Sequence, residues 1–201
     1  MKENEFIKKI SEEVKEILTH SSVQSAAHKW DHAWRVCGRA TRMAKMLKSE
    51  NIDIEALKIS ALLHDIDEPY NKKEDHVETS LRKAEQLLRK VNYPEKKTEK
   101  VLTIISEHSL EGSKIPSSIE AKILFDADKL EGSGAIGISR VFIFCGQNGL
   151  TPAEAIEWYK KEIEKARPRM QTEIGKSIAK EEFKYVNSFF EKFKKEEQEL
   201  V

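Results

Sequence analysis

The stretch Ile59-Ser60-Ala61-Leu62-Leu63-His64-Asp65 offers water almost nothing, and that constrains the fold more than any other feature of the chain. Read as a helix from about Asp53, it carries charge only at Glu55 and Lys58 before Asp65, and apolar residues take most of the remaining circumference. A helix that is apolar nearly all round belongs inside a protein. His64 and Asp65 then sit at the inner end of a buried element, where ionisable groups are costly unless something pairs with them. Pro69 stops the helix just beyond, leaving both near a C-terminus whose partial negative charge favours a cation. Alone, such a pair reads as a hydrogen-bonded core histidine beside a surface aspartate. Whether it is more depends on the partners the rest of the chain supplies.

Every periodic segment fits the helical repeat of about 3.6 residues better than strand alternation, which predicts an all-α protein with no sheet. Glycine and proline are sparse, and no internal repeat or low-complexity linker interrupts the 201 residues. The reading is therefore a single-domain helical bundle over 1–201. Lys plus Arg and Asp plus Glu both number 35, so bulk charge does not point to nucleic acid or to a membrane. The charged start, Met1-Lys2-Glu3-Asn4-Glu5, lacks the apolar centre of a signal peptide, and no apolar run approaches spanning length. Cys37 and Cys145 lie in helical patterns without a CxxC, as expected of reduced thiols in a cytoplasmic protein.

Taken in order, Phe6 to Thr19 is amphipathic, with Phe6, Ile10 and Val14 on one face. From about Lys29 to Asn51, Ala33, Val36, Cys37, Ala40, Met43, Ala44 and Leu47 form one apolar arc at roughly 100° per residue. Beside it run His28, His32, Arg35, Arg39 and Arg42, with His32 on the boundary between arc and stripe. This is either a solvated basic face or a place for a metal or an anion. A helix from about Asp75 to Val91 carries His76 near its start, read as exposed. The segment after Pro94 ends at His108, a site residue or a histidine favoured by the helix C-terminus.

Ser117 or Ser118 caps the next helix. On its projection Lys122, Asp126 and Lys129 share a polar stripe, which makes Asp126 a surface ion-pair residue. Asp128 falls in the apolar arc of Ala121, Leu124 and Phe125, where a carboxylate wants a metal, an arginine or a set of donors. Glu131 to Gly137 is a glycine-rich turn with close helix packing rather than a phosphate-binding loop, because no Gly-Lys-Ser/Thr follows. Thr151-Pro152-Ala153-Glu154 is a helix start. A last helix, roughly Glu173 to Glu199, carries Phe183, Val186, Phe190 and Phe193 as core or as a homodimer contact.

His32, His64, Asp65 and Asp128 are thus four candidate ligands on three helices. Two imidazoles and two carboxylates suit a divalent ion such as Mn, Fe, Co, Ni, Zn or Mg with positions left for water, and not a thiolate-type structural zinc site. The order His32-Ala33-Trp34-Arg35-Val36, Leu63-His64-Asp65 and Ala127-Asp128-Lys129-Leu130 resembles the HD-domain metal-dependent phosphohydrolases. The likeness extends through His28-Lys29-Trp30, His108-Ser109, Gly134 to Arg140 and Thr172 to Ala179, about residues 25–195 in all. Lys29 departs from it, since close relatives often carry an acid there.

The resemblance implies an all-α bundle that hydrolyses a phosphate ester or anhydride, most often in a nucleotide, with those four residues as metal ligands. Arg35 and Lys129 would neutralise phosphate charge, with His28 and His108 beside the substrate. Asp67 or Glu68 would take the proton from the attacking water. Nucleotide pyrophosphohydrolase, 5′-nucleotidase and cyclic-nucleotide phosphodiesterase all stay open. So does a non-catalytic, metal-stabilised nucleotide-binding or scaffold module.

Overall fold

A computed structural model describes residues 5–22, 24–47, 51–67, 75–110 and 114–199. Among them are nine α-helices and no strand: α1 (Glu5–His20), α2 (Trp30–Leu47), α3 (Ile54–Leu63), α4 (His76–Lys90), α5 (Glu95–Ser106), α6 (Ile119–Glu131), α7 (Gly134–Gln147), α8 (Pro152–Ala166) and α9 (Glu173–Glu199).

The apolar helix α3 is the hub. Asp53 caps α3 by accepting from the Ala56 amide, and the helix packs against α1, α2, α5 and α6. Leu57, Ile59, Leu62 and Leu63 are fully buried, each contributing about 1.5–3 kcal/mol of transfer free energy. The helix ends at Leu63, and residues 64–67 form turns. The Asp67 carbonyl accepts from Thr79 Oγ1 (2.8 Å) and the Asp67 amide donates to Ser80 Oγ (3.2 Å), which docks those turns on α4. Pro69, expected to stop the helix, lies outside the described residues.

A second, smaller core joins α7, α8 and α9 through Val141, Ile156, Tyr159, Val186 and Phe190. The Thr151 start signal is a full capping box with Pro152 at the first helical position. Gly137 sits so close to the Gly132 backbone that a Cβ would lie 2.3 Å from Gly132 C. The glycine-rich turn therefore exists for close packing, as expected.

One expectation is overturned. Asp126 is not a surface ion-pair residue but fully buried. Its carboxylate accepts from the Gln171 amide (2.7 Å), the Thr172 amide (2.7 Å) and Thr172 Oγ1 (2.7 Å). The helical projection failed because α6 is enclosed on nearly all sides: Glu120, Ile123, Asp126, Ala127 and Glu131 are all buried. A polar stripe marks the water side only when water is there.

Candidate metal centre

Three helices bring the polar cluster together. His32 stands near the start of α2, His64 and Asp65 follow the last residue of α3, and Asp128 lies on α6. Their ligand atoms all lie within 4.8 Å of one another. His64 Nε2 is 3.2 Å from His32 Nε2, 3.2 Å from Asp65 Oδ2 and 3.5 Å from Asp128 Oδ1. His64 Nδ1 faces the Ala61 carbonyl at 2.9 Å. A carbonyl only accepts, so Nδ1 carries the proton and the Nε2 lone pair faces the cluster.

Ring nitrogens of two imidazoles and oxygens of two carboxylates therefore converge on one spot, a crowding relieved by a proton or a cation. Burial alone would lower His64, but Asp65 and Asp128 outweigh it and raise the ring well above 6.5. Burial opposes the charge of both aspartates too, yet His64 and the donors around Asp65, and Lys129 and His64 around Asp128, hold both well below 3.8. Two imidazole nitrogens and two carboxylates converging on one spot are a donor set that fits a divalent ion.

A second convergence shares Asp65. Ligand atoms of Asp65, His76 and His108 also lie within 4.8 Å of one another. His108 Nδ1 faces the Ile105 carbonyl at 2.6 Å, which turns its Nε2 toward Asp65 Oδ1 at 3.1 Å. His76 is thus not the exposed residue expected from sequence; its side chain is 14% accessible. Nothing local signals this, because the fold alone brings the first residue of α4 to the end of α3.

Asp65, His76, His108 and Asp128 open on a cavity of about 260 Å³. Lys129, Arg140 and His28 line it as well, and Phe144, Trp158 and Tyr159 form an aromatic wall. Burial and the neighbouring Arg140 push His28 well below 6.5, so this ring is neutral at pH 7. Lys129 Nζ lies 2.6 Å from Asp128 Oδ2. Arg140, to which the sequence analysis assigned no role, donates from Nε to the Ala27 carbonyl (2.8 Å) and from Nη1 to the Glu131 carbonyl (3.1 Å).

Other expected site residues stand elsewhere. Arg35 does not line the cavity: its guanidinium holds Asp31 (2.8 Å) and Glu131 (3.0 Å). Arg39 likewise pairs with Glu182 (2.8 Å), so these two arginines of the basic stripe meet carboxylates rather than an open cleft. Asp67 turns its carboxylate to Lys83 (2.9 Å) and is also absent from the cavity wall. Glu68 lies outside the described residues.

The HD-domain family profile matches residues 30–133, which include all four residues of the first cluster. The chain belongs to the HD-domain family. This HD protein is 28% identical to the uncharacterized protein YpgQ of Bacillus subtilis, over 98% of this chain and 96% of that one. Its fold matches B. subtilis YpgQ solved in complex with ADP, with a TM-score of 0.73 and 24% identity, over 98% of this chain and 97% of that one. It also matches an HD-superfamily hydrolase from Bacillus thuringiensis, with a TM-score of 0.73 and 27% identity over 98% of both chains. The profile ends before α7, α8 and the aromatic wall, but these whole-length likenesses include them.

Proposed function

We propose that this HD protein is a divalent-metal-dependent phosphohydrolase acting on a nucleotide, with His32, His64, Asp65 and Asp128 as metal ligands. The carrying observation is that these four donors converge beside a cavity with cations and an aromatic wall. A divalent ion bound there supplies Lewis-acid polarisation of a phosphoryl oxygen and acidifies water. Lys129 and Arg140 neutralise charge on the phosphoryl oxygens from the cavity wall. Phe144 and Trp158 line the apolar wall on which a base would pack. ADP in the YpgQ complex supports the nucleotide, since that protein shares the fold along nearly its whole length. Arg35 enters this reading as a holder of Glu131, and Asp67 as a partner of Lys83.

The test is a hydrolysis screen of mono-, di-, tri- and cyclic nucleotides with Mn, Fe, Co, Ni, Zn and Mg, read by product identity. Metal-dependent release of phosphate or pyrophosphate supports an enzyme. Nucleotide binding without turnover under every metal selects the non-catalytic binding module.

A second reading, with two ions sharing Asp65, is favoured by the Asp65–His76–His108 group. It expects two ions per chain in the wild type and one in His76→Ala, counted by elemental analysis. A single ion in both contradicts it.

A further inference from the structure

Four histidines, His32, His64, His76 and His108, carry the buried cluster and its extension, and the main chain sets the tautomer of two. His64 Nδ1 meets the Ala61 carbonyl and His108 Nδ1 meets the Ile105 carbonyl. Among the described residues His32 has no such carbonyl, and its buried Nδ1 makes no hydrogen bond. Facing that atom is Glu131 Oε2, at 3.6 Å. Glu131 is 2% exposed, and the same oxygen accepts from Arg35 Nε at 3.0 Å, with Arg140 Nη1 at 3.7 Å.

The pattern repeats across two helices. His32 and Arg35 are three residues apart on α2, and Asp128 and Glu131 are three apart on α6, so each pair shares one helix face. One member of each pair belongs to the cluster, and the other stands one turn behind it. Arg35 and Arg140 both meet the Glu131 oxygen that faces His32. An ion pair alone would not require the oxygen held by Arg35 to be the one facing His32.

We propose that Glu131 is the positioning residue for His32. It accepts the Nδ1 proton, so that the Nε2 lone pair is kept toward His64, Asp65 and Asp128, and Arg35 and Arg140 aim its carboxylate. The inference rests on the metal-centre reading above. Metal-ligating histidines generally need such an outer partner, and losing one lowers metal affinity by about 10–100-fold. The 3.6 Å separation shortens by roughly half an ångström to make the hydrogen bond.

The probe is Zn²⁺ alone, titrated calorimetrically into the metal-stripped full chain, with Glu131→Gln beside the wild type and circular dichroism as the control for folding. The wild type is expected to bind, and Glu131→Gln to bind at least about tenfold more weakly while staying helical. Nitrogen-15 NMR of histidine in the Zn²⁺-loaded wild type is expected to show a proton on His32 Nδ1 in a hydrogen bond to a carboxylate. This arm needs no variant and decides the matter even where Glu131→Gln does not fold. A wild type that binds while Glu131→Gln stays within twofold of it, or a His32 whose Nδ1 carries no proton, overturns the positioning role and leaves the metal centre standing. A wild type that binds no Zn²⁺ overturns both.

Discussion

At the scale of single residues, the two aspartates flanking Ala127 divide the labour of α6. Asp128 belongs to the histidine cluster, and Asp126 belongs to the segment before α9. Asp128→Ala is therefore expected to keep its helical circular dichroism spectrum, lose nearly all bound metal by elemental analysis and lose hydrolysis. Retained metal would remove Asp128 from the ligand set.

The protonated centre also sets a pH signature for the metal-free protein. His64 is raised in the fold, so its charged ring stabilises fully below 6.5, and that stability is lost as pH rises through its raised value. Asp65 and Asp128 are lowered, so their contribution is present above 3.8 and lost as pH falls through their depressed values. The melting temperature of the stripped protein should be highest between those ordinary values and fall on both sides. Saturating metal should abolish the alkaline fall, since binding takes the place of the proton. A flat alkaline limb in the stripped protein would mean that His64 is not charged there.

At the scale of elements, the brace between α6 and α9 is a stability feature next to the site. Asp126 satisfies the Gln171 and Thr172 amides, and Thr172 Oγ1 in turn accepts from the Gly175 amide (2.9 Å). A Cβ on Gly175 would lie 2.2 Å from Asp126 Oδ2, so close approach requires glycine there. Asp126→Ala leaves buried donors without an acceptor and should cost about 2–4 kcal/mol in urea unfolding, against about 0.2–0.5 for a surface pair. Gly175→Ala should also destabilise, and both variants should keep the metal per folded chain. A neutral Gly175→Ala would show that the brace yields.

What was legible in the sequence follows the range of the interaction. The Thr151 box, the Ser118 cap and the bounds of α9 depend on residues a few positions apart, and all stand as expected. The apolar arc of α2 and the encircling burial of α3 were readable from composition around a helix. Asp128 was placed inward by the same projection that misplaced Asp126, because the partners of Asp126 lie 45 and 46 residues away. His76, Arg140 and Glu131 were invisible as site residues for the same reason. Arg35 pairs with Asp31 one turn before it, a contact within reach of the sequence, while its second partner, Glu131, stands on another helix and was not.

At the scale of the whole molecule, the larger core around α3 and the smaller one of α7–α9 meet across the cavity and through α9, which packs on α2, α6 and α7. The chain is expected to unfold as one domain, in a single urea transition coincident by circular dichroism and tryptophan fluorescence. Two separated transitions would divide it. On the proposed function, His32, His64, Asp65 and Asp128 together hold a divalent ion. Its most direct test is anomalous diffraction at the manganese edge from crystals grown with Mn²⁺. A strong peak enclosed by those four side chains is expected, with or without a second beside Asp65, His76 and His108; a map with no peak among the four would remove the metal centre.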